Sequence, residues 1–308
     1  MPGVDDLKGL FTPVLTPFIA TYEVDWERYV KFCKWVVSQG SGLACFGTNS
    51  EANSLSVEEK IELLDRLVDA GIGPEKLMPG NGACALPDAF RLTQAAADHK
   101  CAATLMLPPF YYKGVSDEGL FRAYAKVIDH VGSSDLRICL YHIPQVSGVP
   151  ITLNLIEQLL KHYPDTIVGI KDSSGDWSNT KAMLDAFPGF KVFPGAETFL
   201  LEGMRNGAVG CISATANINP GPIADLAATW QDDDADEKQA ALDAVRSVVT
   251  EYAPIPALKA TVAKHSGDEA WRTVRPPLVE LDAEAAAGVT GKLDALGFQM
   301  PGLAEALA

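Results

Sequence analysis

The sequence predicts an α/β fold, a (β/α)8 TIM barrel with a helical C-terminal extension. Eight short apolar runs alternate with amphipathic helical patterns at a spacing of about 30 residues, which is typical of parallel strands joined by helical crossovers. No G-x-G-x-x-G pattern follows the first strand, which disfavours a doubly wound dinucleotide-binding sheet. A chain of 308 residues fits one barrel, which needs roughly 250 residues, and an appendage.

The predicted elements follow one another in regular order. The predicted strands are residues 9–15, 42–46, 77–80, 103–107, 136–141, 167–171, 191–193 and 208–213. The predicted helices between them are residues 25–39, 56–70, 86–100, 116–130, 153–162, 177–186 and 197–206. Two helix starts are marked in the sequence, because Ser56 and Glu59 form a capping-box pattern and Ser116 precedes two acidic residues.

The alternation of strands and helices stops after Ser213. Only helical patterns follow, at residues 220–230, 236–252, 255–265 and about 274–296. We therefore expect the barrel, which carries the active site, to occupy residues 1–230 and a helical extension to occupy residues 231–308. An acidic run at residues 232–236 is typical of a solvated turn rather than a metal site.

Composition excludes several classes of partner. A net charge of −15 without a basic cluster weighs against nucleic acid, since phosphate contacts need a face of lysine and arginine. No stretch approaches the ~20 apolar residues of a membrane span, and the acidic N-terminus is unlike a signal peptide. The six scattered cysteines, without a C-x-x-C pair, predict reduced core thiols in a cytoplasmic protein.

A lysine and a tyrosine mark the ends of two consecutive predicted strands. Lys171 ends an apolar run that reads as a buried strand, and a lysine is almost never buried unless it is paired or functional. Tyr141 ends the strand before it. Neighbouring barrel strands would bring the amine and the phenol together as a Schiff-base site with its own proton carrier. A snorkelling strand-end lysine and a core tyrosine are the simpler readings of each residue alone.

Further polar residues follow other predicted strands. The loop at residues 47–51 offers the Thr48 hydroxyl and a run of small residues whose backbone N–H groups can bind a carboxylate. A helix-capping turn is the alternative interpretation of this loop. The aromatic residues Tyr111 and Tyr112 follow the fourth strand, where they could line a pocket, form an interface or pack internally.

Residues 9–296 resemble the family of dihydrodipicolinate synthase and N-acetylneuraminate lyase, which are class I, Schiff-base-forming enzymes. The resemblance is carried by six strings, Thr12-Pro13-Val14-Leu15-Thr16-Pro17-Phe18, Gly47-Thr48-Asn49-Ser50-Glu51, Tyr141-His142-Ile143-Pro144, Gly169-Ile170-Lys171-Asp172, Gly210-Cys211-Ile212-Ser213 and Pro254-Ile255-Pro256.

The resemblance implies a catalytic set. Lys171 attacks the ketone of a 2-oxo acid, usually pyruvate, and forms an imine, while Tyr141 carries protons. Thr48 relays protons to Tyr141, and Tyr111 (or Tyr112) completes the relay across a subunit interface. Such proteins commonly assemble as homotetramers. The protonated imine is itself the electron sink, so no metal or organic cofactor is needed.

The resemblance also implies where the substrate lies. Backbone N–H groups at Thr48 and Asn49 hold the carboxylate of the oxo acid, and the main chain of Ile212 lies against it. Ser173, Ser174, Glu197 and Thr198 follow the sixth and seventh predicted strands and are expected to contact the rest of the substrate, which suits a hydroxylated 2-oxo acid. Helix capping and packing are open alternatives for each of them.

Three departures from the family pattern bear on the substrate. Asn49-Ser50 stands where the family usually has Thr-Gly. Val146 stands where the synthases usually carry an arginine that grips the second substrate, and a valine cannot pair with a carboxylate. The segment at residues 110–115 is about one residue longer than in the synthases, which leaves the choice between Tyr111 and Tyr112 open.

These observations rank the possible functions. The leading hypothesis is a lyase (aldolase) acting on pyruvate and a hydroxylated 2-oxo acid. The alternatives are a dehydratase of 2-keto-3-deoxy sugar acids that uses the same imine, and dihydrodipicolinate synthase itself, which Val146 disfavours. A catalytically silent 2-oxo acid binding protein is a fourth possibility, against which the joint presence of Lys171, Tyr141 and Thr48 argues.

Overall fold

Parallel strands form the inner layer of the fold. The structure is a computed structural model, and it describes residues 7–308. Its strands are β1 (Gly9–Thr12), β2 (Gly42–Leu43), β3 (Thr104–Met106), β4 (Ile138–His142), β5 (Ile167–Asp172), β6 (Lys191–Pro194) and β7 (Gly210–Cys211). They pair in parallel as β2–β1–β7 and as β3–β4–β5–β6.

The third predicted strand, residues 77–80, joins these two sheets without forming a regular strand. The Met78 N–H donates to the Leu43 carbonyl (2.8 Å), and the Leu105 N–H donates to the Pro79 carbonyl (2.9 Å). Pro79 has no N–H to donate, so the ladder is interrupted there and only isolated bridges remain. The strand prediction is therefore right in place, and the proline explains its irregularity.

The other junction between the sheets lies between β6 and β7. The Val209 N–H donates to the Val192 carbonyl (3.2 Å), and the Ile212 N–H donates to the Pro194 carbonyl (3.0 Å). With residues 77–80 on one side and this junction on the other, eight segments close into a ring. The predicted barrel is confirmed, and the carboxyl ends of all its strands meet at one face.

Helices surround the ring. Those between strands are α1 (Trp26–Ser38), α2 (Val57–Asp69), α3 (Leu86–Asp98), α4 (Asp117–Val131), α5 (Pro144–Ser147), α6 (Leu153–His162), α7 (Trp177–Ala186) and α8 (Leu200–Arg205). The capping box at the start of α2 is present, because the Ser56 hydroxyl accepts from the Glu59 N–H and the Glu59 carboxylate accepts from the Ser56 N–H. The short helix α5 is an element that the sequence reading did not include.

Helices alone follow β7, as the sequence predicts. They are α9 (Pro220–Thr229), α10 (Ala235–Thr250), α11 (Pro254–Ser266), α12 (Ala283–Ala295) and α13 (Leu303–Leu307). The last predicted helix, at about 274–296, begins only at Ala283. Pro276 and Pro277 lie in the missing part, and consecutive prolines cannot supply the N–H groups of a helix interior.

The C-terminal helices pack on the first barrel helix. Trp271 is fully buried against Phe32 of α1, with ring centroids 4.8 Å apart, and the indole N–H of Trp35 donates to the Pro301 carbonyl (2.9 Å). Leu303 of α13 belongs to the same apolar core cluster as Phe32. The division of the chain at residue 230 stays a prediction, since barrel and extension share this core.

Two simple findings concern the whole described chain. Across residues 7–308, no helix is both long and apolar enough to cross a membrane.

Five of the six cysteine thiols are buried and Cys84 is exposed, and all six are free thiols. Burial raises the pKa of the thiols of Cys45, Cys101 and Cys139 to about 12, so these thiols stay protonated and unreactive at neutral pH.

A buried ion pair ties the loop after β2 to α11. The Lys259 ammonium donates to the Glu51 carboxylate, and both side chains are fully buried. Lys259 also donates to the Thr273 carbonyl (2.7 Å), while the second Glu51 oxygen accepts from the Arg275 N–H (2.8 Å). Burial lowers the pKa of Lys259 to about 8, and the Glu51 carboxylate opposes that shift. Removing either partner would leave an unpaired buried charge.

We therefore predict that Lys259→Met lowers the free energy of unfolding by about 3–5 kcal/mol, because it leaves Glu51 buried without a counter-charge. Urea unfolding of the variant and the parent measures the difference. Lys264→Met is a matched control, since Lys264 also lies on α11 but pairs with Asp294 at the surface, where such pairs contribute less than about 1 kcal/mol.

A second variant checks the cause. Replacing both partners, as Lys259→Met with Glu51→Gln, should recover part of the lost stability because no buried charge is then unpaired. Equal losses for Lys259→Met and Lys264→Met would show that the buried pair has no special weight.

Candidate active site

The pairing register of β4 and β5 brings the predicted amine and phenol together. Tyr141 is the direct partner of Lys171 across this strand pair, and each is only 2% exposed. The Lys171 Nζ lies 4.3 Å from the centroid of the Tyr141 ring. Because both strands are parallel, both side chains stand at the carboxyl end of the barrel, where barrel enzymes carry their active sites.

The Lys171 amine has no partner that would compete with a ligand. Among residues 7–308, no hydrogen bond or ion pair to a protein group involves its Nζ, and its one polar contact is the face of the Tyr141 ring. A buried lysine elsewhere in this structure, Lys259, shows the alternative arrangement, in which a carboxylate and a carbonyl hold the ammonium. Lys171 therefore differs from a structural lysine in having its nitrogen free for chemistry.

The loop after β2 brings Thr48 to the same place. The Thr48 hydroxyl lies 3.2 Å from the Tyr141 hydroxyl, within hydrogen-bonding distance. Thr48 starts a single 3-10 turn, Thr48–Ser50, that follows Gly47. The hydroxyls of Thr48 and Tyr141 thus form a continuous path beside the Lys171 amine along which a proton can move.

Ser50, which departs from the family pattern, is buried beneath this loop. Its hydroxyl donates to the Val14 carbonyl, and its own carbonyl accepts from the Thr16 hydroxyl (2.8 Å). Ser50 lies inside the 3-10 turn, and the left-handed residue of the loop is Glu51, with φ of 54°. Ser50 therefore needs no backbone conformation reserved for glycine, although the family usually has glycine at this position, and Glu51 is held in its strained conformation by Lys259.

A cavity of about 310 Å³ opens in front of the amine. Its walls include Thr48, Asn49, Tyr141, Lys171, Ser173 and Arg246. This volume is at the lower end of the range for small-molecule sites, so it suits a short-chain substrate. A larger apolar cavity of about 580 Å³ lies between α1, α9 and α10, but Lys171 and Tyr141 are not among its walls.

Arg246 is the site residue that the sequence reading missed. It comes from α10, and its Nη1 lies 3.0 Å from Glu197 Oε2 and 3.3 Å from the Ser213 hydroxyl. The side chain is 24% exposed, on the wall of the same cavity as Lys171. The signal was present in the sequence, since Arg246 lies one helical turn after Leu242 and before Val249, on the apolar stripe of its helix.

Glu197 faces Arg246 instead of the cavity. Its carboxylate is buried and accepts from the hydroxyls of Ser213 and Thr215 as well as from Arg246. Its backbone carbonyl accepts from the side-chain amide of Gln239 (3.0 Å). All these contacts fix Glu197 in place, so it orients the guanidinium of Arg246.

Asp172 and His142, which follow Lys171 and Tyr141 along their strands, are held by structural hydrogen bonds. Asp172 accepts from the Ser174 N–H (3.0 Å) and the Thr180 hydroxyl (2.6 Å). His142 Nδ1 accepts from the Ile151 N–H (3.0 Å), which places the ring proton on Nε2. Burial lowers the pKa of His142 although the Asp172 carboxylate opposes this, so the imidazole is neutral at pH 7.

Four of the predicted substrate-binding residues, Val146, Ser174, Thr198 and Ile212, do not line the cavity. Val146 on α5 is 61% exposed, and Thr198 is also exposed. Ile212 is fully buried, and Ser174 is half-buried beside Asp172. Asn49 and Ser173 are the predicted substrate-binding residues that line the cavity. The substrate roles of all these residues stay predictions.

The predicted relay tyrosines stand at the surface. Tyr111 and Tyr112 are 74% and 75% exposed, and their rings meet edge to face with centroids 5.3 Å apart. Neither lines the Lys171 cavity. Two adjacent exposed aromatic rings of this kind are typical of a protein interface. Their similar exposure does not distinguish which of them would complete a relay.

Known proteins resemble the chain over almost its whole length. The model of the dihydrodipicolinate synthetase family matches residues 6–296. An uncharacterized DapA-like lyase from Chloroflexus aurantiacus is 35% identical, covering 92% of this chain and 94% of the relative. A 4-hydroxy-tetrahydrodipicolinate synthase from Saccharophagus degradans is 32% identical, covering 90% of this chain and 94% of the relative.

A solved structure agrees with these sequence relatives. The crystal structure of dihydrodipicolinate synthase from Agrobacterium tumefaciens superposes with a TM-score of 0.87 at 30% identity, covering 94% of this chain and 99% of that one. Family match, relatives and fold thus coincide with a free lysine and a tyrosine at the carboxyl end of a barrel. The chain belongs to the dihydrodipicolinate synthetase family, and it is an enzyme of that family's class I pyruvate-dependent lyase type.

Proposed function

We propose that this enzyme forms an imine between Lys171 and a 2-oxo acid and makes or breaks the bond between C3 and C4 of a 4-hydroxy-2-oxo acid, with pyruvate as one product. The observation that carries the proposal is the uncommitted Lys171 amine, 4.3 Å from the ring of Tyr141, whose hydroxyl in turn lies 3.2 Å from Thr48. This arrangement in one small cavity supports Lys171 as the nucleophile and Tyr141 as the proton carrier.

The imine forms in the first half of the reaction. The Lys171 nitrogen bonds to C2 of the oxo acid, one proton is taken up, and the carbonyl oxygen leaves as water. In this proposal, backbone N–H groups at Thr48 and Asn49 hold the carboxylate. Tyr141 supplies and removes the protons, and Thr48 exchanges them with Tyr141.

The protonated imine then accepts the electrons of the breaking bond. Tyr141 takes the proton of the C4 hydroxyl, the C3–C4 bond breaks, and C4 leaves as an aldehyde. The bond's electron pair moves into the C2–C3 bond and neutralises the imine nitrogen, which gives an enamine. A proton added at C3 restores the imine, and water releases pyruvate and the free amine. This sequence requires no metal or organic cofactor.

The proposed function also implies a cellular location, an oligomeric state and a kind of partner for this protein. We place it in the cytoplasm, which fits its free thiols. We expect a homotetramer, in which the exposed Tyr111 or Tyr112 reaches a neighbouring subunit's site. Its substrate is a small molecule, and nucleic acid is not expected as a partner because the net charge is −15.

Dihydrodipicolinate synthesis is a second candidate, because relatives with about 30% identity carry that name. Val146 counts against it, since the family position for gripping aspartate semialdehyde here holds an apolar side chain. A lost charged contact of this kind costs about 100-fold in kcat/KM.

The nucleophile is tested by trapping. Incubation with pyruvate and borohydride should add one reduced pyruvyl group to the protein, measured by intact mass, and Lys171→Ala should abolish the adduct. Lys161→Ala, which removes an exposed lysine at the end of α6, is the matched control and should keep it. An adduct on the Lys171→Ala protein would place the nucleophile elsewhere.

The proton relay is tested by a double-mutant cycle. Tyr141→Phe should keep the fold and lower turnover by about 10²–10⁴-fold, the usual range for a lost general acid–base group. Thr48→Val acts on the same step, so the double variant should lose less than the product of the single losses. Steady-state rates of pyruvate release are measured for the two single variants and the double variant. Fully multiplicative losses would show that the two hydroxyls do not act in one relay.

The substrate class is tested by comparing two reactions. We expect weak condensation of pyruvate with aspartate semialdehyde and faster release of pyruvate from a hydroxylated 2-oxo acid. The released pyruvate is measured in an assay coupled to lactate dehydrogenase. A kcat/KM of roughly 10⁴ M⁻¹s⁻¹ or more for the condensation, which is in the ordinary enzyme range, would favour the synthase.

A further inference from the structure

The wall of the Lys171 cavity carries one cationic side chain besides that lysine. Apart from Lys171, Arg246 is the only lysine or arginine among the described residues that line it. The protein as a whole is strongly acidic and repels anions, so an anionic group needs a local cation in order to bind. Arg246 provides one on the cavity wall, from α10 and not from the strands that carry Lys171 and Tyr141.

The guanidinium still has donors to offer. Within residues 7–308, its protein contacts run through Nη1, to Glu197 and Ser213, and no acceptor engages Nε or Nη2. The edge formed by Nε–H and Nη2–H is the fork that pairs with both oxygens of a carboxylate. Glu197 fixes the opposite side of the guanidinium, which reduces the entropy lost when a ligand binds to this fork.

The surrounding hydroxyls are poorly suited to reading a polyhydroxylated chain. Thr215 donates to Glu197, and Thr250 donates to main-chain carbonyls of its own helix. Glu197, which the sequence reading expected to contact substrate hydroxyls, is occupied by Arg246 and two hydroxyls. Among Arg246, Glu197, Thr215 and Thr250, Arg246 is thus the group with strong donors to spare.

Resting on the imine chemistry proposed above, we propose that Arg246 is a specificity-determining residue that binds a carboxylate at the far end of the substrate. The preferred substrates are then short 2-oxo diacids with a hydroxyl at C4, and the aldehyde product is itself an acid. The cavity volume of about 310 Å³ agrees with a short chain. Aspartate semialdehyde fits less well, since an ammonium next to its carboxylate would face the guanidinium.

Two probes that need no turnover test this proposal. Both 2-oxoglutarate and the monoacid 2-oxohexanoate can form an imine with Lys171, and they differ in that only 2-oxoglutarate has a carboxylate at the far end. Borohydride trapping at graded concentrations gives the half-saturation of each, read by intact mass. For the parent protein, we expect the half-saturating concentration of 2-oxoglutarate to be at least about 10-fold lower than that of 2-oxohexanoate, as a charge-assisted pair would give.

Variants assign the preference to the guanidinium. Arg246→Gln should raise the half-saturation for 2-oxoglutarate by about 10–100-fold and shift that for 2-oxohexanoate much less. Arg246→Lys keeps the charge without the fork and should retain part of the preference. Arg205→Gln removes one positive charge from a surface pair with Asp236, so it controls for net charge and should keep the full preference.

Each contrary result has a distinct meaning. If the parent traps pyruvate but shows no preference for the diacid, or if Arg246→Gln weakens both probes equally, Arg246 is not a carboxylate reader. If Arg246→Gln no longer traps pyruvate, Arg246 serves the first carboxylate or the fold, and this proposal is also wrong. If the parent traps no pyruvate, the imine mechanism itself fails, which is a separate result.

Discussion

The buried ion pair between Lys259 and Glu51 supports the arrangement of the active face. Glu51 ends the loop that carries Thr48, and its left-handed backbone is fixed by a fully buried partner from α11. A charge can be buried at this depth only with a partner. The loop and the C-terminal helix must therefore come together whenever the barrel is complete, and the Thr48 hydroxyl then reaches Tyr141.

A second pair repeats this principle on the other side of the cavity. Arg246 of α10 meets Glu197, which follows β6, and the hydroxyls of Ser213 and Thr215 complete the contact. Helices that come after the barrel in the chain thus supply one partner to each of two active-face loops. The extension contributes to the geometry and the charge of the site as well as to the core.

In contrast to these paired charges, the Lys171 amine has no ion-pair partner among the described residues. Its strand delivers it to the cavity beside Tyr141, and no carboxylate among the described residues neutralises it. The paired lysine is structural, whereas the unpaired amine is available for covalent chemistry. On this basis we propose the imine at Lys171, while Arg246, already oriented by Glu197, can act through its charge on the wall of the same cavity.

The sequence alone determined the barrel, the order of its strands and the proximity of Lys171 and Tyr141, because strand periodicity and the rule that barrel sites lie at carboxyl ends are local or topological properties. It did not reveal Arg246, nor that Glu197 would turn away from the cavity, because these positions are 49 residues apart and meet only when α10 packs against the segment that follows β6. Tertiary packing also placed Val146 and Thr198 at the surface. Which side chains face a cavity depends on how distant elements pack and on which buried charges find partners, and neither is encoded in a local pattern.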